Sequence, residues 1–112
     1  MARRSPDATF CREMLPKVSR TFALCIRFLP PGVNYAVLVA YLLCRVADTI
    51  EDSVVLSAAD KDRLLAHFRR CLEEGGPDAT PLAAAFAERR QDDEQLAARA
   101  DQVLREFRAL PA

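Results

Sequence analysis

The sequence lacks the features that mark small zinc-binding, disulfide-bonded or nucleic-acid-binding proteins. Its 112 residues include no tryptophan, three glycines and one histidine, and 16 basic side chains balance 16 acidic ones. The balanced charge gives no electrostatic reason to expect nucleic acid or an anionic membrane as a partner. The cysteines form no Cys-x-x-Cys pair, so a zinc site is not expected either.

The four cysteines are instead interpreted as small apolar side chains of the core. Each lies among apolar residues at helical spacing, which favours reduced and buried thiols. They are Cys11, Cys25, Cys44 and Cys71. The basic residues at the amino terminus are not followed by the apolar segment of a signal peptide. Reduced thiols and the missing signal segment together predict a cytoplasmic protein.

Long hydrophobic runs are also missing. The longest apolar run covers residues 33–47 and is interrupted by Asn34 and Arg45. Because a membrane-spanning helix needs about 20 apolar residues, this run predicts a buried core helix rather than a transmembrane segment. A peripheral membrane contact remains compatible with this pattern.

Every periodic segment has helical spacing, and no hairpin or alternating strand pattern occurs. The pattern predicts six helices. The first is capped by Asp7 and ends at a break between Pro16 and Ser19, and the second and third cover residues 20–28 and 33–52. The fourth is capped by Ser57 and closed by Gly75-Gly76-Pro77. The fifth is opened by Thr80-Pro81, and the sixth covers residues 92–110.

The carboxyl end of the third predicted helix carries the strongest functional signal. Asp48 and Asp52 share one face with Tyr41 and Arg45, and Glu51 lies to one side. Like charges at i,i+4 cost about 0.2–0.5 kcal/mol, and each carboxylate in the last turn costs about 0.3–1 kcal/mol against the helix dipole. A divalent cation would offset this cost, and Mg²⁺ is usually held by one or two carboxylates together with substrate phosphates.

Spacing alone leaves more than one interpretation of these motifs open. Acidic residues at helix ends are most often solvated surface, and Asp60-Lys61-Asp62 and Asp92-Asp93-Glu94 are interpreted as such helix-start acids. The cluster at 48–52 differs because Arg45 precedes it within an apolar helix, where a guanidinium needs an anionic partner. Ser19-Arg20-Thr21-Phe22 serves either as a helix N-cap or as a phosphate-binding helix start.

The two motifs occur together in an order that resembles a known enzyme family. The segments Ser19-Arg20-Thr21-Phe22-Ala23-Leu24, Leu29-Pro30 and Tyr41-Leu42-Leu43-Cys44-Arg45-Val46-Ala47-Asp48-Thr49-Ile50-Glu51-Asp52 are similar to the opening of squalene/phytoene synthases. These are the head-to-head isoprenoid synthases. The resemblance covers roughly residues 10–53. It implies an all-α fold made of the N-terminal helices of an isoprenoid-synthase-type fold, as one partial domain over residues 1–112.

The resemblance also implies a metal site and catalytic residues. Asp48, Glu51 and Asp52 match the family's first aspartate-rich motif, which binds Mg²⁺ that bridges the substrate diphosphate. Tyr41 matches the tyrosine one turn before the arginine of this motif. On this basis Asp48, Asp52 and Tyr41 are the expected catalytic residues.

A substrate-binding segment is implied in the same way. Arg20 and Arg45 match phosphate-contacting arginines, and Ser19, Thr21 and Phe22 match the flanking substrate contacts. The two arginines also match positions associated with NADPH in squalene synthases, so NADPH is a further cofactor if the product is squalene.

The function implied by the resemblance is a Mg²⁺-dependent transferase that condenses two farnesyl or geranylgeranyl diphosphates head to head. The family's second aspartate-rich motif has no match after residue 56. We therefore expect this chain to hold half of a site, to be inactive alone, and to expose an apolar face that favours self-association. The alternatives are a catalytically inactive helical interaction module derived from such a synthase, and a head-to-tail synthase or terpene cyclase, which the Ser-Arg-Thr-Phe segment disfavours.

Overall fold

The computed structural model describes residues 5–74, 79–87 and 91–110, which form seven α-helices and no β-strand. The predicted all-α fold is therefore confirmed for this part of the chain. The helices, in chain order, are α1 (Pro6–Val18), α2 (Arg20–Ile26), α3 (Pro31–Asp52), α4 (Ala58–Glu74), α5 (Thr80–Ala85), α6 (Asp92–Ala98) and α7 (Ala100–Ala109). The principal dimensions are 40 × 29 × 19 Å, so the shortest one accommodates about two layers of helices.

Local capping decides where the first two helices begin. Ser5 precedes α1, and its Oγ accepts a hydrogen bond from the backbone N–H of Ala8 at 3.0 Å. The prediction that Asp7 caps this helix is wrong, because Ser5 already satisfies a free N–H group and Asp7 pairs with Arg105 instead. Ser19 ends α1 and caps α2, so the predicted break at this position is confirmed.

The apolar third helix lies at the centre of the packing. It begins at Pro31, two residues earlier than predicted, because proline suits the first helical turn, and it ends at Asp52 as predicted. The preceding helix, α2, ends at Ile26, two residues before its predicted end. α3 packs against α1, α2, α4, α6 and α7. Its buried side chains are Tyr35, Leu38, Val39, Leu42, Leu43, Val46 and Ile50.

Within the described ranges, α3 is also the one helix with the length and composition of a membrane span. It has 22 residues, and an 18-residue stretch of it has a mean hydropathy of 1.4. The core helix of a protein with no membrane segment meets the same criteria, so this property is weak support for a span. Its contacts with five other helices match the predicted core position.

The fourth and fifth helices begin where the sequence predicts. The Oγ of Ser57 accepts a hydrogen bond from the backbone N–H of Asp60 at 3.1 Å, and Thr80-Pro81 opens α5. Asp60 also pairs with Arg63 at the helix start, in agreement with its structural interpretation. The predicted helix end at 75–77 lies outside the described residues.

The carboxyl-terminal helix is broken, contrary to the prediction of one helix over residues 92–110. The chain leaves the helical conformation at Arg99, whose φ of −112° and ψ of 29° separate α6 from α7. The Arg99 guanidinium lies over the ring of Phe10, 4.3 Å from its centroid. Both α6 and α7 pack against α1 and α3, so the break serves tertiary packing that periodicity does not report.

The prediction that all four cysteines are buried is wrong for two of them. Cys11 and Cys71 are fully buried, whereas Cys25 on α2 and Cys44 on α3 are exposed. No disulfide links them. The two exposed thiols lie on helix faces that no other described helix covers, which the apolar sequence around them does not reveal.

A buried carboxyl group connects α7 to α3 and to the start of α1. Glu106 has no exposed surface and accepts hydrogen bonds from the Tyr35 hydroxyl at 2.6 Å and the Ser5 hydroxyl at 3.3 Å. We call Ser5, Tyr35 and Glu106 the buried polar cluster. Burial and the hydrogen bond to Glu106 raise the pKa of Tyr35 well above its ordinary value. Burial also raises the pKa of the nearby Cys11 thiol to about 12.

Candidate functional site

A surface cavity lies beside the carboxyl end of α3, and we call it the α3 cavity. It encloses about 230 Å³ between the last turns of α3, the segment that follows α3 and the start of α6. The buried ring of Phe86 forms part of its wall. The charged side chains that line it are Arg45, Asp48, Asp52, Asp93 and Glu94. The cavity therefore combines one guanidinium with carboxylates from two helices.

Among the described residues that line the α3 cavity, Arg45 holds the only positive charge. Its Nη2 donates a hydrogen bond to Oδ2 of Asp93 at 2.5 Å, and the two side chains are 29% and 34% exposed. The Nε of Arg45 is buried and has no hydrogen-bond partner within the described residues. A buried donor without a partner costs free energy, so this guanidinium can gain from a further anionic oxygen.

The predicted anionic partner of Arg45 exists, but it comes from α6. Asp93 lies in the first turn of α6, as its interpretation as a helix-start acid predicts, and it also pairs with Arg45. Its contact with Arg45 spans 48 residues of sequence, so no local pattern indicates it. The isolated arginine in an apolar helix predicts that an anionic partner exists, but it does not indicate which residue supplies it.

Two of the three predicted metal ligands lie in the α3 cavity. Asp48 and Asp52 line it, and neither carboxylate has a hydrogen-bond or ion-pair partner among the residues the structure describes. Glu51 is exposed and does not line the cavity. Over residues 5–74, 79–87 and 91–110, no three histidine, cysteine, aspartate or glutamate side chains form a preformed metal site.

Neighbouring polar contacts stabilise the end of α3 despite its three acids. The Nζ of Lys61 donates a hydrogen bond to the backbone carbonyl of Glu51 at 2.8 Å, which places a positive charge at the helix carboxyl end. Ser53 Oγ accepts from the backbone N–H groups of Val55 and Leu56, both at 3.3 Å. These bonds turn the chain away from α3 and form one edge of the cavity.

The Ser19-Arg20-Thr21-Phe22 segment lies outside the α3 cavity but contacts the same helix. Ser19 Oγ accepts a hydrogen bond from the Phe22 N–H at 3.1 Å, so its capping role is confirmed. The Phe22 ring stacks on Tyr41, with centroids 4.2 Å apart and an interplanar angle of 14°. Arg20 and Thr21 are exposed. The structure thus brings Phe22 to Tyr41, one helical turn before Arg45, and leaves Arg20 and Thr21 at the surface.

Apolar side chains are exposed on α2 and around the start of α3. Phe28 is 90% exposed, Leu24 60% and Val33 50%. Large exposed apolar side chains clustered along the chain mark surfaces that another group normally covers. The expected uncovered apolar surface is therefore present, next to the helix that carries the Ser19 to Phe22 segment.

The sequence that carries this site is similar to known proteins over most of its length. The family model for squalene/phytoene synthases matches residues 15–112. The chain belongs to the squalene/phytoene synthase family. The match continues to the end of the chain, whereas the motifs that carry the sequence resemblance end near residue 53. The helices α4 to α7 therefore belong to the same family segment as α3.

Several relatives within this family are similar over most of the chain. Squalene synthase from Yarrowia lipolytica is 40% identical over 76 residues, which cover 68% of this chain and 17% of that protein. Squalene synthase from Schizosaccharomyces pombe is 32% identical over 104 residues, which cover 87% of this chain and 20% of that protein. Lycopaoctaene synthase from Botryococcus braunii is 37% identical over 71 residues, which cover 63% of this chain and 16% of that protein. The chain thus spans a fifth or less of the length of these relatives, and no solved structure matches it.

Proposed function

We propose that this protein is the first aspartate-rich part of a Mg²⁺-dependent head-to-head prenyl transferase. Its substrates would be two farnesyl or geranylgeranyl diphosphates, which are joined with loss of diphosphate. One observation carries the proposal, in a chain of the squalene/phytoene synthase family: Arg45 lines the same cavity at the end of α3 as two carboxylates that have no partner among the described residues. Its similarity to squalene synthases and to a lycopaoctaene synthase supports the same reaction class.

The carboxylates of Asp48 and Asp52 suit Mg²⁺, which prefers oxygen ligands and usually takes one or two of them from the protein. Both line the α3 cavity with no partner in the described part of the chain, and they lie one turn apart on one face of the helix. When bound, Mg²⁺ would supply positive charge that stabilises the departing diphosphate. Glu51 stays a proposed ligand that would have to turn towards the cavity.

Arg45 would orient the diphosphate. Its planar guanidinium can give two parallel hydrogen bonds to phosphate oxygens, and its Nε has no partner among the described residues. A fixed guanidinium beside the scissile C–O bond stabilises the negative charge that develops on the leaving oxygen. Arg20, exposed on α2, would approach the second diphosphate.

The apolar side of the reaction would use the Phe22 and Tyr41 rings. Tyr41 lies seven residues before Asp48, or about 10 Å along the helix axis. A prenyl chain that starts at the α3 cavity and follows α3 would therefore reach these stacked rings. Apolar and aromatic walls keep water from an allylic cation until the second prenyl chain attacks it.

The proposal is tested by calorimetric titration of the chain with a non-hydrolysable farnesyl thiodiphosphate, with and without Mg²⁺. We expect Mg²⁺-dependent binding that Asp48→Asn abolishes. Asp62→Asn removes an exposed carboxylate of α4 and is the matched control, with unchanged affinity expected. Equal affinity of wild type and Asp48→Asn in the presence of Mg²⁺ would contradict the site assignment.

The second candidate function is a helical interaction module without catalytic activity. The exposure of Leu24, Phe28 and Val33 favours it, because such a surface suits a protein partner as well as a second copy of the chain. This candidate predicts no Mg²⁺-dependent thiodiphosphate binding. It also predicts concentration-dependent sedimentation that Phe28→Ser reduces.

A further inference from the structure

The guanidinium of Arg45 already has an anionic ligand, and that ligand belongs to the chain itself. Asp93 reaches into the α3 cavity from the first turn of α6 and accepts the 2.5 Å hydrogen bond from Nη2 of Arg45. A carboxylate oxygen at this distance makes the same kind of charge-assisted contact that a phosphate oxygen would make.

We propose that Asp93 occupies the phosphate position at Arg45 in the free protein, and that an incoming diphosphate displaces it. Asp93 is thus an internal competitor that sets the apparent affinity of the site. The inference rests on the proposed function, since it requires Arg45 to be a phosphate ligand.

The contact has the properties of an exchangeable pair rather than a permanent one. It satisfies one arm of the guanidinium and leaves Nε without a partner among the described residues, so the fork of Arg45 is only partly used. Both side chains are about one-third exposed, which lets water replace either partner. The N-cap residue of α6, Gln91, makes no side-chain capping bond, so the first turn that carries Asp93 lacks the stabilisation that an N-cap side chain gives.

The negative charges that line the α3 cavity favour the departure of Asp93 from Arg45 when a diphosphate binds. The described lining residues carry one guanidinium, that of Arg45, and four carboxylates, those of Asp48, Asp52, Asp93 and Glu94. A diphosphate that entered with Asp93 still in place would meet an additional negative charge at the atom it must contact. When Asp93 leaves Arg45, the guanidinium is free to donate to a phosphate oxygen, and the carboxylate of Asp93 moves away from the phosphate.

Glu94 provides a matched control for the charge itself. It lines the same cavity and carries the same charge, yet it makes no contact with Arg45. Asp93→Asn and Glu94→Gln therefore remove equal charge from one cavity, and only the first removes the competitor. Asp93→Ser is a second variant that vacates Arg45 with a smaller side chain.

The experiment is calorimetric titration of the 112-residue chain with inorganic diphosphate and Mg²⁺. A part-exposed ion pair of up to about 1 kcal/mol lowers apparent affinity by about fivefold, so Asp93→Asn and Asp93→Ser should bind about fivefold more tightly than wild type. Glu94→Gln should change affinity by less than about twofold, because its effect is only the screened charge. In an Arg45→Met background the gain from Asp93→Asn should disappear, since the two residues act as one unit.

The outcomes separate this inference from the proposed function. Equal gains in Asp93→Asn and Glu94→Gln would overturn the displacement and leave a general charge effect, while the phosphate site itself would stand. Wild-type binding that neither Asp93 variant improves would also overturn it and leave the proposed function intact. Failure of every variant to bind diphosphate with Mg²⁺ would overturn both.

Discussion

Two polar regions contact α3, one near each end, and they differ in how their polar groups are satisfied. The buried polar cluster lies at the first turns of α3, where Tyr35 donates to a Glu106 carboxyl group that has no exposed surface. The α3 cavity lies at the last turns, where Arg45 has a buried Nε without a partner in the described part of the chain and Asp48 has an unpaired carboxylate.

The difference indicates which region stabilises the fold and which region is suited to bind a ligand. A buried polar group that is fully hydrogen-bonded contributes to a unique packing, and its loss is costly. An open cavity with excess negative charge and a partly used guanidinium contributes little to folding and gains from a cation and an anion together. Substitutions in the two regions should therefore separate stability from binding.

The largest effect is expected at Glu106. Glu106→Ala leaves the buried Tyr35 hydroxyl without its acceptor and opens a void, so the free energy of unfolding should fall by about 3 kcal/mol. Glu106→Gln keeps a carbonyl acceptor and should cost about 1 kcal/mol. Chemical denaturation followed by circular dichroism measures both changes, and diphosphate affinity of the folded variants should be unchanged.

The control for this prediction is Asp101→Ala on the same helix. Asp101 makes an exposed i,i+4 ion pair with Arg105, which is worth at most about 0.5 kcal/mol. If Glu106→Ala cost no more than Asp101→Ala, the buried polar cluster would have no special part in stability.

The next effect is a loss of stability at alkaline pH. The folded chain holds the protons of Tyr35 and Cys11 above their ordinary pKa values of 10.0 and 9.0, so the unfolded chain releases them first. The free energy of unfolding should therefore be constant below about pH 9 and fall above it, by up to about 1.4 kcal/mol per pH unit for each group.

Denaturation curves between pH 7 and pH 11 measure this slope. Tyr35→Phe should lower stability at pH 7, because Glu106 loses a donor, but it should also flatten the decline above pH 9. Cys11→Ala should flatten the lower part of the same decline. Identical slopes in wild type and both variants would show that these two groups are not responsible.

Substitution of Arg45 should have the opposite profile to substitution of Glu106. Arg45→Met replaces a part-exposed ion pair with an apolar side chain of similar length, so the free energy of unfolding should change by less than about 1 kcal/mol. The affinity for diphosphate with Mg²⁺ should fall by about tenfold, because hydrogen bonds to charged groups are worth about 1.5–3 kcal/mol. A strong loss of stability with unchanged affinity would reverse the assignment of the two regions.

The smallest effect is expected where α2 meets α3. The stacked rings of Phe22 and Tyr41 should show a coupling energy of about 1 kcal/mol in a double-mutant cycle with leucine at both positions. Thermal denaturation of the four proteins measures this energy. Additive effects of the two substitutions would mean that the stack does not hold α2 against α3.

The helices were largely predictable because their signals are local. The Ser19 and Ser57 caps and the Thr80-Pro81 start are confirmed, since capping depends on atoms within three residues of each other. The error at the first helix is also local, since the observed cap, Ser5, lies only two residues before the expected cap, Asp7. The break at Arg99 was not predictable, because its contact with Phe10 on α1 has no local signal.

The candidate site was predictable only on one side. Helical periodicity places Arg45, Asp48 and Asp52 together, and the structure finds them in one cavity. Asp93, which completes the surroundings of Arg45, comes from a helix that sequence reasoning treated as separate. The exposure of Cys44 was missed for a related reason, because burial depends on which neighbouring helices cover each face.

The sequence by itself determined the all-helical architecture, the apolar helix α3 and the family to which its motifs belong. The architecture and α3 follow from side-chain periodicity along each helix. The family follows from the resemblance of two motifs, one on α2 and one on α3, to squalene/phytoene synthases. Only the tertiary structure decided which acid pairs with Arg45 and which carboxyl group is buried against Tyr35. Both contacts join residues far apart in the chain, and packing, rather than local preference, determines which distant side chains meet.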